Sequence, residues 1–161
     1  MISQTNEYAL RAMIHLAGLK PGATVNSETV AARTKVPQGY LSKILRDLVL
    51  VGLVKSQRGP NGGFCLARPA SKTSILDIIT AVDPIHRIHH CPLGNPAHVK
   101  LCPLHQRLDD AFAQIERSLG ETTLEELTTE GGKKGHCGSL VPTSSTRATL
   151  TTSAKSAERR P

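Results

Sequence analysis

The side chains best suited to chemistry crowd into one short stretch: His86, His89, His90, Cys91, His98, Cys102 and His105. It holds two of the four cysteines and five of the seven histidines. Both cysteines open a Cys-Pro-Leu string, Cys91-Pro92-Leu93 and Cys102-Pro103-Leu104, which places each thiol at a helix start or tight turn. A thiol there gains from unpaired backbone N–H groups and the positive end of a helix dipole, so it ionises readily and can ligate a metal. Thiolates combined with imidazoles suit zinc or an iron–sulfur cluster of mixed ligation. The ten residues between Cys91 and Cys102 do not choose between these, nor against plain loop thiols. His86, His89 and His90 read as solvated loop residues. Cys65, within an alternating apolar run, reads as a small core hydrophobe, and Cys137 beside His136 has no assigned role.

The elements that must position these groups follow from periodicity. Residues 3–19 form a predicted helix with Ala9, Met13, Leu16 and Ala17 on one face, ended by Pro21-Gly22. Ser27 is the predicted cap of a short helix containing Val30 and Ala31, which Lys35-Val36-Pro37 breaks. A third helix runs from Gln38 to Val51, with Leu41, Ile44, Leu45 and Leu48 inward and Gly52 as its stop. Residues 53–57 and 64–67 alternate like paired strands around the Asn- and Gly-rich turn Arg58-Gly59-Pro60-Asn61-Gly62-Gly63. A helix capped near Ser74 carries Ile75, Leu76, Ile78, Ile79 and Val82 and ends at Asp83-Pro84. The Cys- and His-bearing connector fills 85–103. A longer helix then begins at Pro103, with Leu101, Leu104, Leu108, Ala111, Ile115 and Leu119 in a heptad-like seam that two copies could share. An ordinary amphipathic helix covering its own core would show the same seam.

Charge divides the chain in the same places. Residues 1–70 hold nine basic and three acidic side chains, 71–127 five and eight, and 128–161 six and two, giving +7 over 161 residues. A basic module followed by an acidic one fits polyanion binding, although a solvated surface with excess lysine would give the same sums. Two helices joined by a short turn, the second leading into a hairpin, make a winged helix-turn-helix. The fold class is mainly α with a small β-wing and a long C-terminal dimerisation helix. The outward face of the third helix offers Gln38, Ser42, Lys43, Arg46 and Asp47 to a major groove. Arg58, on a thin glycine-flanked tip, suits a narrow minor groove.

Three strings together resemble a known family: Tyr8-Ala9-Leu10-Arg11-Ala12-Met13, Val36-Pro37-x-x-Tyr40-Leu41-x-x-Ile44-Leu45, and Arg58-Gly59-Pro60-Asn61-Gly62-Gly63-Phe64. They look like the IscR/NsrR (Rrf) family of bacterial transcription regulators, over about residues 2–127. The resemblance implies a homodimer on a palindromic double-stranded operator, with Gln38, Tyr40, Ser42, Lys43, Arg46, Arg58 and Asn61 as DNA-contacting candidates. It also implies an iron–sulfur sensor. Cluster-bearing members usually present three cysteines five residues apart in this connector. Here Cys91 and Cys102 remain and the middle place falls near Ala97 or His98. A [2Fe–2S] site would then be completed by His98, His105 or Glu7. Glu7 matches the place from which some relatives supply an acidic ligand across the dimer.

Residues 1–70 are thus expected to bind DNA, 71–127 to sense and pair, and 128–161 to form a disordered basic Ser/Thr-rich tail. A repressor responsive to redox state, nitric oxide or iron–sulfur status is the leading reading. A zinc- or thiol-sensing regulator without a cluster and a winged-helix protein-interaction module are the alternatives. An enzyme is not expected: the chain has no Walker-type loop, nucleophile elbow or paired-carboxylate site. At 2% aromatic residues, a stacking platform for single strands is not expected either. No apolar run reaches the roughly 20 residues of a membrane span, so a cytoplasmic location is expected, with no membrane partner.

Overall fold

The computed structural model describes residues 2–60, 62–91 and 101–128. Its order is α1 (Gln4–Ala17), α2 (Ser27–Thr34), α3 (Gln38–Leu50), β1 (Val54–Gln57), β2 (Gly63–Leu66), a 3₁₀ turn (Ala70–Lys72), α4 (Ile75–Val82) and α5 (Pro103–Glu121). A helical turn at 124–128 follows. Among the described residues no helix is long and apolar enough to cross a membrane. The mainly helical architecture with a two-stranded wing matches the fold class expected from the sequence.

The core is aliphatic, as the shortage of aromatics requires. Met13 and Leu16 of α1, Val30 of α2, Leu41, Ile44, Leu45 and Leu48 of α3, and Ile75, Ile78 and Ile79 of α4 form one buried cluster. The third-helix face predicted from spacing is thus the face that is buried. Leu124 joins the same cluster, although it falls beyond the last recognisable seam. It is drawn in by backbone: Ile75 N–H donates to Thr122 O at 3.0 Å and Leu124 N–H to Thr73 O at 2.8 Å, closing the chain end over the start of α4.

Local chemistry sets the helix ends. α2 is capped by Asn26, whose Oδ1 accepts from Thr29 N–H at 2.8 Å; Ser27, the expected cap, is the first helical residue. The carboxamide one place earlier reaches the third N–H of the helix, which is where the N-cap acts. At α4, Ser74 and Asp77 form a reciprocal capping box. Gly52, at φ +73°, takes the left-handed position that ends α3, and Leu53 N–H returns to Leu48 O at 2.9 Å.

The wing pairs β1 and β2 antiparallel, with Val54 opposite Leu66 and Gln57 opposite Gly63. It is fixed to the helices at Phe64, which exchanges two backbone hydrogen bonds with Val25, of 2.8 and 3.1 Å. A Cβ on Gly63 would stand 2.5 Å from Val25 O and 2.9 Å from Val25 N, so only glycine permits this approach. Cys65, opposite Lys55, is half-buried and not in the core, and all four residues of β2 are half-buried in this two-stranded sheet.

Candidate nucleic-acid interface and sensor site

Between α2 and α3 the turn is tight. Lys35 adopts the left-handed conformation (φ 56°, ψ 35°) and its N–H returns to Ala31 O. Val36, buried, anchors the turn, and Pro37 starts α3 without any side-chain cap. The N–H groups of that first turn therefore lack helical partners, and the residues that carry them are exposed, an arrangement suited to phosphate oxygens. The uncapped start was missed in the sequence, where Pro37 registered only as a helix breaker.

Opposite the buried Leu41, Ile44, Leu45 and Leu48, α3 exposes Gln38, Tyr40, Ser42, Lys43 and Arg46. Helical spacing puts Lys43 and Arg46 near the middle of this arc, with Ser42 and Tyr40 at its flanks. Arg46 pairs with its neighbour Asp47 at 3.5 Å, and its side chain keeps 68% exposure, so its guanidinium can meet an outside partner. Ser42 Oγ donates to Gln38 O at 3.0 Å, and its oxygen can still accept. Tyr40 packs edge-on against Tyr8 of α1 with ring centroids 6.1 Å apart, while its exposure stays at 61%. That contact gives the sequence motif a physical reason: Tyr8 holds Tyr40 at the rim of α3. Arg58 is exposed at the wing tip, and Asn61 lies outside the described residues.

A second constellation sits at the start of α5. Cys102 is its N-cap residue and His105 lies one turn in. Cys102 Sγ is 3.1 Å from His105 Nδ1, and Cys91 Sγ, from the connector, is 3.9 Å from the same nitrogen. The two predicted sulfur ligands thus both lie within 4 Å of one imidazole nitrogen. Glu7 is not among them: its carboxylate pairs with Arg11 on the outer side of α1. His98 lies outside the described residues. The donor chemistry suits a thiophilic metal or cluster, but the number falls short. Among the described residues no group of three His, Cys, Asp or Glu is placed to hold a metal, and four donors are the rule for zinc or a [2Fe–2S] cluster.

The connector is held by charge. Arg87 reaches Asp109 of α5 with two parallel hydrogen bonds, both 2.6 Å, and Glu116 with a third of 3.0 Å. Ile88 N–H adds a bond of 2.9 Å to Asp109 Oδ1. These contacts hold the Asp109 carboxyl down to about 2, the Arg87 bonds first and the Ile88 N–H after the opposing cost of removing it from water. Arg87 is raised further above its ordinary value by the same two carboxylates. No periodic signal announces such a pairing across 22 residues, and sequence reasoning missed it.

Residues 2–130 match the family described as Rrf2, iron-dependent transcriptional regulator. This chain belongs to the Rrf2 family. Family and relatives are transcriptional regulators that bind DNA, not enzymes. A Mycobacterium tuberculosis protein assigned as an HTH-type transcriptional regulator is 38% identical over 128 residues, 78% of this chain and 80% of the relative. An Aquifex aeolicus protein with the same assignment is 32% identical, over 79% of this chain and 90% of its own length. Among solved structures, CymR, the global cysteine regulator of B. subtilis, aligns with TM-score 0.64 and 30% identity, covering 81% of this chain and 97% of CymR. T. potens IscR aligns with TM-score 0.71 at 24% identity, over 84% and 91% of the two chains, a likeness of fold. The winged-helix, DNA-binding Rrf2 architecture expected from the sequence is thereby established.

Proposed function

We propose that this Rrf2 regulator is a homodimeric repressor that reads a palindromic operator with α3 and the wing, and whose grip responds to a sensor at Cys91, Cys102 and His105. Residues 1–70 read DNA and residues 71–127 sense and pair. Gln38, Tyr40, Ser42, Lys43 and Arg46 meet the major groove; Arg58 and Asn61 meet the adjacent minor groove. The observation that carries the reading is the exposed polar arc of α3, which among the described residues shows no ion pair at Lys43 and one, with adjacent Asp47, at Arg46, beside a wing docked through Phe64.

Pairing is supported by α5. Leu104, Leu108 and Ile115 are 64%, 44% and 44% exposed on one stripe, with Ala111 between them, while Leu119 turns instead to the chain's own core. A second copy of the same stripe would cover them. Two α3 helices must then enter successive major grooves about one helical turn apart, so a small change at α5 alters affinity strongly.

For the sensor, the leading form is a [2Fe–2S] cluster on Cys91 and Cys102, completed from His105, His98 or the second subunit's Glu7. When bound, such a group supplies sensitivity to oxidants and nitric oxide. The approach of two thiols to one imidazole, without a fourth donor among the described residues, also supports zinc or a bare thiol pair.

Selection of binding sites from random duplexes, followed by titration at several salt concentrations, tests the DNA half. A palindromic site whose affinity falls steeply with salt is expected; a protein that selects no duplex at low salt refutes it. Anaerobic purification with a visible spectrum and iron, sulfide and zinc counts tests the sensor. Absence of both iron and zinc leaves the thiol pair alone.

A further inference from the structure

We propose that Arg87, Asp109 and Glu116 form a latch that sets the register of the connector along α5 and so holds Cys91 within reach of Cys102 and His105. This rests on the proposed sensor only for its purpose, not for its geometry. The connector has no regular secondary structure between Asp83 and Cys91. Its near end is fixed by Asn6 Nδ2, which donates to Asp83 O at 2.9 Å, and by Ile85 against the core. Beyond Ile85, Arg87 and Ile88 tie the connector to α5 before the Cys91 sulfur is reached. Asp109 accepts from three N–H donors, two on Arg87 and one on Ile88, so both the side chain and the backbone of the connector are fixed. A planar guanidinium bound side-on to a carboxylate resists both sliding and rotation, which a lysine ammonium does not.

The placement on α5 gives the latch its consequence. His105, Asp109 and Glu116 share one stripe, at steps of four and seven residues. Leu104, Leu108, Ala111 and Ile115 form the neighbouring stripe, one residue or about 100° round the helix. The latch therefore clamps the sensor thiol to the helix whose adjacent face is the proposed pairing seam. With the latch closed, a bond or ligand formed at Cys91 pulls on α5; with it open, the connector takes up the movement.

The test uses the full chain with Cys65→Ser and Cys137→Ser, reduced and treated with diamide. Cys91 and Cys102 would lose their two protons and two electrons to the azo group and join as a disulfide, read by peptide mass mapping. In Arg87→Met the cross-linking rate should fall about tenfold, because Cys91 then meets Cys102 only by free loop closure. Arg87→Lys should fall less and Glu116→Gln least. The exchanged pair Arg87→Asp with Asp109→Arg should recover rate if the contact itself matters, which a general loss of structure would not allow. Equal rates in the parent and Arg87→Met overturn the latch, as does a parent that forms no Cys91–Cys102 disulfide. If the parent cross-links, Arg87→Met slows, and operator affinity is indifferent to the disulfide, the latch stands and the thiol-pair sensor fails.

Discussion

Around α3, position is set by buried hydrocarbon: four inward side chains of one helix meet α1 and α4, and a backbone pair at Phe64 fixes the wing. Around Cys91, position is set by charge: one guanidinium and two carboxylates hold a segment with no regular structure. The first kind of support is non-directional and is shared among many atoms, so it gives a rigid platform. The second is concentrated in a few directed bonds from half-buried Arg87 to buried Asp109 and half-buried Glu116, and its loss would leave the hydrocarbon core in place. A regulator needs both, a fixed surface to read DNA and a releasable joint to report a signal.

The sharpest way to break that contrast is to damage the hydrocarbon. Leu45→Ala should cost about 2–5 kcal/mol of stability in urea unfolding, since Leu45 is fully enclosed and leaves a cavity. DNA binding and thiol proximity should then fail together as the domain melts. A cost below 1 kcal/mol would mean that the core around α3 is loose. At the next level, Arg46→Ala should leave unfolding unchanged while weakening operator binding by about 1–3 kcal/mol, because its side chain projects outward. A shallower salt dependence would mark a phosphate contact, and relaxed sequence preference a base contact. No change in either would remove Arg46 from the interface.

The same contrast explains what could be read beforehand. The face Leu41-Ile44-Leu45-Leu48, the hairpin glycines and the order of elements are periodic or punctuated, and burial enforces them directly. The Cys91–Cys102 convergence was legible as chemistry, because two Cys-Pro-Leu strings and His105 declare the donors. The latch was not: Arg87, Asp109 and Glu116 are ordinary surface types, and only the fold brings them together. Leu124 escaped for a similar reason, since backbone pairing to Thr73 and not periodicity carries it inward. Leu119 shows the limit of a seam read in isolation, as its last member serves the chain's own core.

A subtler measurement sharpens the charged half. The Ile88 N–H donates to Asp109 Oδ1, so its amide resonance reports the ionisation of that carboxylate. Asp109 sits at about 2 in the folded chain against 3.8 ordinarily. A depressed carboxylate contributes stability that is complete above its unfolded value and is lost as pH falls through the folded one. The Ile88 amide should therefore hold steady through pH 4 and titrate near pH 2, and Asp109→Asn should abolish the step. A midpoint at the ordinary carboxylate value would show that Arg87 and Asp109 are not joined in solution.

The smallest expected effect lies in the hydrocarbon half, where it partly encloses an imidazole. His15 of α1 is half-buried and its Nε2 is shielded from water with no hydrogen-bond partner among the described residues. Burial lowers its pKa and the nearby Arg33 of α2 lowers it further, so folding favours the neutral ring. The unfolded chain takes up a proton at its ordinary value of 6.5 while the folded chain does so only at lower pH, so stability falls as pH drops below that value. Unfolding midpoints in urea should decline from pH 7.5 to 5.5, and His15→Gln, which cannot charge, should decline less. An identical decline in the two proteins would mean that water reaches His15, and that the packing of α1 against α2 is less complete than the buried face of α3.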